Sequence, residues 1–148
     1  MFIKKIGQSY HDDLNKIAEL YIKTYSKEPW EDDLDIDGVL DYFNRSIKNG
    51  ASIYVGYEEN EPVAMAILLD VVSYKTNYVR IEDICVDWDL QERGIGSEFL
   101  KLIEKEHINN SIDVIVLNTI RVFPARKFYE KNGYTIIEDS ITMFKQFN

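Results

Sequence analysis

The spacing of apolar side chains divides the chain into helical and extended segments. Apolar residues recur at intervals of three and four over four stretches, which is the pattern of amphipathic helices. Two of these stretches end at Asn-Gly pairs, Asn49-Gly50 and Asn132-Gly133, which favour a helix stop. The predicted helices cover residues 12–25, 34–47, 94–109 and 122–132.

Clusters of β-branched and aromatic residues indicate the strands. ASIYVGY and PVAMAILLDVVSY are separated by the polar turn EENE, which predicts a hairpin. Further strands are predicted over residues 2–6, 78–88 and 112–119, with two more in 134–147. The prediction is an α+β fold with a mixed, mostly antiparallel sheet of six to seven strands and about four helices. No repeat or linker interrupts the pattern, so residues 1–148 are interpreted as one domain.

The composition is that of a soluble protein. The 148 residues, 45% apolar and 29% charged, suffice for one substantial core. No run approaches the roughly 18 apolar residues that cross a bilayer, and the N-terminus lacks the apolar core of a signal peptide. A single cysteine, Cys85, excludes an internal disulfide framework and fits a reducing compartment. We therefore expect a cytoplasmic protein that does not bind membranes.

The net charge of the chain limits the classes of molecule that it is expected to bind. A net charge of −9 argues against nucleic acid, because phosphate binding needs clustered Lys and Arg. It permits cationic small molecules or basic peptides, although it equally serves solubility. Neither His11 nor His107 has a second ligand at metal-binding spacing, so no metal site is expected.

The stretch QERGIG is typical of an anion site. It follows a predicted strand and opens a predicted helix, whose first N–H groups lack partners. A Rossmann fingerprint would need a third glycine where Phe99 stands, and a Walker loop would need a lysine that is absent. The remaining alternatives are a QxxGxG turn that binds pyrophosphate through backbone amides and a glycine-rich turn without a ligand.

Three segments together resemble the GNAT superfamily of N-acetyltransferases, most closely its polyamine and aminoglycoside branches. They are the strand IEDICV, the turn QERGIGSEFL and the downstream FYEKNGY. The resemblance implies a single GNAT-type domain with acetyl-CoA as co-substrate and no metal. It places the pyrophosphate on the turn and the pantetheine arm on the splayed strand. The implied cofactor-binding residues are Gln91, Arg93, Gly94, Ile95, Gly96 and Ser97 in the turn, and Ile84, Cys85 and Val86 in the strand.

Two positions depart from the family pattern. Many members have a proline shortly before the turn, where this chain has Trp88 or Asp89, and the change concerns loop stiffness. Many also carry an asparagine where this chain has Val122, a contact for which Asn118 is a weak substitute.

The resemblance also implies catalytic residues. Tyr129 of FYEKNGY is the candidate general acid, because a phenol stays protonated at neutral pH and can donate to a sulfur leaving group. Glu82 is the candidate base, acting directly, through water or by attracting the cation, and Asp83 is expected to assist in acceptor binding. The alternatives are a core tyrosine and solvated strand charges. By strand alternation one of the two acids should face away from the site.

Predictions also follow for the segment around Trp30 and for Cys85. Trp30, in the acidic segment EPWEDD, is predicted either to line the acceptor pocket or to anchor the loop on the core. The neighbouring acids Glu31, Asp32 and Asp33 either attract a cation or are simply solvated. Cys85 has no catalytic partner and is expected to be buried and unreactive.

These observations predict an acetyl-CoA-dependent N-acetyltransferase. The expected acceptor is a primary amine of a small, cationic molecule that attacks directly in a ternary complex. A protein or peptide N-acetyltransferase and a non-catalytic acyl-CoA-binding module are the alternatives. A homodimer is left open.

Overall fold

The computed structural model describes residues 1–6 and 13–147. The chain forms two compact units, Met1–Asn118 and Thr119–Asn148, which are described separately, and the single-domain organisation stays a prediction. The start of the first predicted helix and His11 lie outside the described residues. The elements in chain order are β1 (Phe2–Ile6), α1 (Leu14–Tyr25), α2 (Ile36–Lys48), β2 (Ala51–Glu58), β3 (Glu61–Val71), β4 (Tyr78–Val86), a 3₁₀ turn (Trp88–Leu90), α3 (Ile95–Asn109), β5 (Val114–Leu117) and α4 (Pro124–Lys131).

The described strands form one sheet in the order β1-β2-β3-β4-β5. Strands β1 to β4 pair antiparallel, and the predicted β2–β3 hairpin is confirmed. Strand β5 is parallel to β4, because α3 carries the chain back across the sheet between them. The prediction of six to seven strands was wrong for the described residues, which form five. The sheet is mixed, as predicted, with three antiparallel pairings and one parallel pairing.

The missing strands are those predicted at the C-terminus. Residues 134–147 contain no strand, and their apolar side chains are largely exposed. Alternating apolar residues favour an extended chain, but a strand exists only where a neighbour accepts its backbone hydrogen bonds. Sequence pattern does not specify that neighbour. The most exposed of these side chains are Ile137, Ile141, Met143, Phe144 and Phe147.

Helices cover the sheet on both faces. Helices α1 and α2 pack on each other and on β2, β3 and β4, around a core that includes Phe43 and Met65. Helix α3 contacts β1, β3 and β4, and its Phe99, Leu100 and Ile103 are fully buried. Burial on both faces explains why β3 reads as a continuous apolar run rather than an alternating one.

A glycine in β2 permits the close approach of α3. An added Cβ at Gly56 would lie 2.9 Å from Cδ2 of Phe99 and 3.1 Å from the sulfur of Met1. Both distances are shorter than side chains tolerate without movement. Gly56 therefore lets the Phe99 ring, near the start of α3, lie against β2.

Candidate active site

Strand β4 contains a bulge at the position of its two neighbouring acids. Ile67 of β3 lies opposite Asp83. The next residue of β3, Leu68, lies opposite Ile81. Glu82 is therefore the extra residue of a bulge, and simple alternation fails here. Because Ile67 belongs to the core under α1 and α2, Asp83 faces these helices, whereas Glu82 is exposed.

Strands β4 and β5 separate before β4 ends. Their pairing covers Tyr78–Ile81 and Val114–Leu117, so residues 82–86 have no partner in β5. On the other side, the N–H of Asp87 still donates to the carbonyl of Val63 in β3, over 2.9 Å. Because successive strand residues point their backbone groups to opposite sides, Ile84 and Val86 point away from β3. The splay predicted for this strand is thus present in the described sheet.

Side chains from α1 occupy the carbonyls of this open edge. Oγ1 of Thr24 donates to the carbonyl of Val86 over 3.1 Å, and the hydroxyl of Tyr25 donates to that of Ile84 over 3.1 Å. Nε2 of Gln91 also donates to the carbonyl of Val86, over 3.3 Å. The N–H groups of Ile84 and Val86 lie along the same edge as these carbonyls. The open edge is therefore suited to a ligand that accepts hydrogen bonds.

A glycine in the left-handed conformation begins α3. Gly94 has φ +83° at the N-cap position, and an added Cβ would have no atom within 4 Å. The backbone conformation, rather than crowding, therefore favours glycine here. The first N–H groups of the helix, from Ile95 to Ser97, have no intrahelical partner, as at any helix start. No described side chain caps them either. With the helix dipole, this uncapped start suits an anion and fits a pyrophosphate group.

Lys23, near the end of α1, bridges two carboxylates just before this turn. Its Nζ lies 2.7 Å from Oδ1 of Asp87 and 2.7 Å from Oδ2 of Asp89. The Asp87 carboxylate also accepts from the N–H of Asp89 over 2.9 Å and so caps the 3₁₀ turn. The hydrogen bond to Asp87, and to a smaller extent that to Asp89, raises the pKa of Lys23. The Lys23 ammonium in turn lowers the pKa of Asp89. The bridge ties α1 to the segment that leads into α3.

Tyrosines from α1 and α2 surround Asp83. The Tyr42 hydroxyl donates to Oδ2 of Asp83, and the ring of Tyr21 lies 6.1 Å from that of Tyr42 and 4.4 Å from that of Tyr25. Burial raises the pKa of Asp83, and the hydrogen bond from Tyr42 opposes that rise. Burial also raises the pKa of Tyr21 and of Tyr42, so both phenols remain protonated donors at neutral pH.

Glu82 has a different environment from its neighbour. Nε of Arg80 lies 2.5 Å from Oε1 of Glu82, and the two side chains are 39% and 37% exposed. Glu82 is therefore accessible to solvent but already has a cationic partner. An incoming ammonium at Glu82 would compete with this guanidinium.

Trp30 packs against the core under α1 and α2. Its ring centroid lies 5.0 Å from that of Tyr25 in an edge-on arrangement, and the indole is half-buried. The acids that follow it are exposed, yet the charge of Asp32 raises the pKa of Asp83 and so acts on the tyrosine-lined site. The contacts of Trp30 are those of a loop anchor, and a role at the pocket stays a prediction.

Cys85 lies in the core on the α1/α2 side of β4. Burial raises the pKa of its thiol, and the charge of Asp83 acts in the same direction. The thiolate, which is the nucleophilic form, is therefore disfavoured. Of the residues predicted to hold the pantetheine arm, Cys85 has its backbone groups directed toward its β3 partner Met65 and its side chain in the core.

The second unit contains the FYEKNGY segment. Tyr129 is buried, with the rings of Phe128 and Tyr134 centred 5.2 and 5.6 Å away. Helix α4 ends at Lys131, and Gly133 follows with φ +89°, as the Asn-Gly stop predicts. Val122, which stands where the family often has asparagine, is 84% exposed.

The sequence analysis did not predict several residues that lie at this site. Tyr21 and Tyr42 were counted only as apolar positions of helices, and no local pattern connects Lys23 or Thr24 with the end of β4. A usable signal was the spacing of Tyr21 and Tyr25, four residues apart on one helix face. Aromatic residues with polar tips on a buried face often serve a site at the end of that face.

Comparison with known proteins decides the family. Residues 14–134 match the model of the Acetyltransferase (GNAT) family. The chain belongs to this family. The resemblance inferred from the sequence is confirmed, and with it an acetyltransferase whose family uses acetyl-CoA as co-substrate. No curated protein sequence matches the chain significantly.

Solved structures share the fold of this GNAT chain. An integron cassette protein from the mobile metagenome of V. cholerae superposes with a TM-score of 0.83 at 16% identity, over 99% of this chain and 93% of that one. An aminoglycoside acetyltransferase from an uncultured soil metagenomic sample, in complex with sisomicin, gives 0.75 at 15% identity, over 99% and 96%. Ribosomal-protein-alanine N-acetyltransferase from Brucella melitensis biovar Abortus 2308 gives 0.73 at 17%, over 98% and 100%. At these identities the likeness concerns the fold.

The described residues lack two further features, a membrane-spanning helix and a metal-binding group. None of their helices combines the length and apolar character that a membrane span requires. None of their His, Cys, Asp and Glu side chains form a group arranged to hold a metal ion.

Proposed function

We propose that this GNAT protein transfers the acetyl group of acetyl-CoA to a primary amine of a small, cationic acceptor by direct attack in a ternary complex. The observation that carries the proposal is the open edge of β4 leading directly into the uncapped start of α3. Backbone donors along that path match an extended ligand with a diphosphate at one end. In the reaction the amine nitrogen bonds to the acetyl carbon, the carbon–sulfur bond breaks and CoA leaves as a thiol.

The cofactor path has two parts. The turn holds the pyrophosphate and the open edge of β4 holds the pantetheine arm, in the positions that the family resemblance implies. Bound acetyl-CoA supplies a thioester carbonyl, which is reactive toward amines. The N–H groups on the open edge are placed to stabilise negative charge on a carbonyl oxygen. The residues are Gln91, Arg93, Gly94, Ile95, Gly96 and Ser97 in the turn, and Ile84, Cys85 and Val86 in the strand.

The acceptor end uses the two acids of the β4 bulge. Glu82 is the proposed base that takes the proton of the ammonium, directly or through water, once Arg80 yields its place. Asp83 holds the cation among the tyrosines, with Trp30 at the edge of that group. Burial raises the pKa of Asp83, so this carboxylate is also a competing candidate for the base.

Tyr129 is the proposed general acid. A buried phenol keeps its proton at neutral pH and can deliver it to the departing sulfur. The family motif that surrounds Tyr129 supports this assignment. The paired rings of Phe128 and Tyr134 restrict its orientation.

A second candidate function is acetylation of a protein or peptide. The fold likeness to a ribosomal-protein-alanine N-acetyltransferase supports it as strongly as the likeness to aminoglycoside enzymes supports a small acceptor. Net charge of −9 suits a cationic acceptor of either kind. A non-catalytic acyl-CoA-binding module is the remaining alternative.

A panel of amines tests the proposal. The protein is incubated with acetyl-CoA and, in turn, with polyamines, aminoglycosides, basic peptides with free N-termini and neutral amines, and CoA thiol release is measured. We expect turnover with a cationic small amine well above the rate without acceptor. Turnover only with peptides would favour the second function. Binding of acetyl-CoA without turnover on any amine would favour the non-catalytic acyl-CoA-binding module.

A further inference from the structure

Asp87 and Asp89 place two carboxylates directly before the turn that the proposed function assigns to pyrophosphate. In a chain of net charge −9, such carboxylates oppose the approach of an anionic coenzyme. Lys23 lies 2.7 Å from both of them and balances part of their charge. The local potential at the turn therefore depends on a residue from α1.

Arg93 is the cation of the turn itself. It is exposed and forms no salt bridge among residues 1–6 and 13–147. Its charge nevertheless acts on Asp89, because it lowers the pKa of that carboxyl, although by less than Lys23 and Lys27 do. Without Lys23, the Asp89 carboxylate would be released to compete with a phosphate for Arg93.

We propose that Lys23 is a positioning residue for acetyl-CoA binding. By holding Asp87 and Asp89 in ion pairs, it reduces their repulsion of the pyrophosphate at the turn and leaves Arg93 unpaired. This inference rests on the proposed function, which places the pyrophosphate at this turn. Lys23 itself touches neither the coenzyme nor the acceptor in this proposal.

A role in stability alone does not account for the arrangement. Lys23 is 39% exposed and Asp89 is 70% exposed, so their ion pair contributes little to folding, whereas the pair with Asp87, which is 21% exposed, links α1 to the 3₁₀ turn. The same helix offers a matched comparison in Lys16. Its Nζ lies 2.9 Å from Oε2 of Glu61, with side chains 51% and 67% exposed.

Titration calorimetry with CoA tests the proposal without catalysis. The proteins compared are wild type, Lys23→Met, Lys23→Arg, the double variant Lys23→Met/Asp89→Asn, and the control Lys16→Met. We expect Lys23→Met to raise the Kd for CoA about three- to tenfold, because a nearby charge pair in water is worth a factor of this order. We expect Lys23→Arg and Lys16→Met to stay within about twofold of wild type.

The double variant separates charge from structure. If Lys23 acts by masking Asp89, removing that carboxylate should recover at least half of the loss on a logarithmic scale, and added salt should shrink the difference between Lys23→Met and wild type. An unchanged Kd in Lys23→Met would overturn the inference while leaving the proposed function intact. A raised Kd that Asp89→Asn does not recover would also overturn it. Wild-type protein that fails to bind CoA would instead overturn the proposed function.

Discussion

The hydroxyl of Tyr42 donates a hydrogen bond to the carboxylate of Asp83, joining α2 to the bulge of β4. This contact favours the charged form of an acid that faces the tyrosine-lined site. Burial alone would favour the neutral carboxyl, and the phenol donor partly restores the charged form. The hydrogen bond therefore influences how much of Asp83 is a cation-binding carboxylate and how much is the protonated acid.

Replacing Tyr42 with phenylalanine should shift the acid limb of the pH profile to higher pH. Without this donor only the smaller effect of the Tyr25 hydroxyl opposes burial, so the pKa of Asp83 rises further and more of it is protonated at a given pH. If charged Asp83 binds the acceptor, kcat/KM for the amine on the acid limb should fall by up to about tenfold, the factor for a hydrogen bond to a charged group. At higher pH, where Asp83 is charged in both proteins, kcat/KM should return to the wild-type value.

Tyr54→Phe is the matched control for this experiment. Tyr54 is a buried tyrosine of β2 whose ring lies 5.4 Å from that of His107, on the α3 face of the sheet. Its replacement should leave the limb in place. An unshifted profile in Tyr42→Phe would remove Asp83 from acceptor binding.

Asp83→Asn should stabilise the protein at neutral pH. A carboxyl whose pKa is raised in the folded state contributes stability at low pH and loses it as the pH rises through that folded pKa. Asparagine removes the cost of burying the charge, so its advantage over wild type should be largest at neutral pH, at roughly 0.5–1.5 kcal/mol. The advantage should shrink as the pH falls through the folded pKa of Asp83.

Urea unfolding at several pH values measures this difference. Glu82→Gln is the control, since Glu82 is exposed and paired with Arg80, and it should show no such stabilisation. An advantage of Asp83→Asn that grows toward acid would contradict the argument.

Tyr129→Phe should lower turnover while leaving the coenzyme bound. Removing a general acid typically costs about a hundredfold or more in rate, whereas the ring that packs beside Phe128 remains. We expect kcat to fall by that order and the Kd for acetyl-CoA to change by less than about twofold. Tyr134→Phe removes the hydroxyl of the adjacent ring and should keep kcat near wild type. Equal rates for wild type and Tyr129→Phe would exclude Tyr129 from the mechanism.

The sequence predicted what is encoded locally. Helical spacing located all four helices to within two residues over their described parts, and the Asn49-Gly50 stop is present, with Gly50 at φ +93°. The glycine turn before α3 was also found, because a left-handed residue at a helix start leaves a compositional trace.

What was missed depends on register and on distant contacts. The bulge at Glu82 follows from how β4 pairs with β3, and a shift of one residue in register changes which acid faces inward. The bonds from Lys23 and Thr24 to residues more than sixty positions away have no signature in either segment. The C-terminal strands were overpredicted for the same reason, since the pairing partner is not written in the alternating pattern.

Gly94→Ala tests the turn with Gly50→Ala as its matched control. Both glycines have positive φ, +83° and +93°, and an added Cβ at either would meet no atom within 4 Å. Alanine should therefore cost each site a similar strain, about 1–2 kcal/mol of unfolding free energy. Only Gly94 leads into the uncapped helix start, so only its replacement should also weaken acetyl-CoA binding, by about tenfold or more, as the backbone N–H groups shift. Equal coenzyme affinities for the two variants, measured by titration calorimetry under conditions where both are folded, would place the pyrophosphate elsewhere.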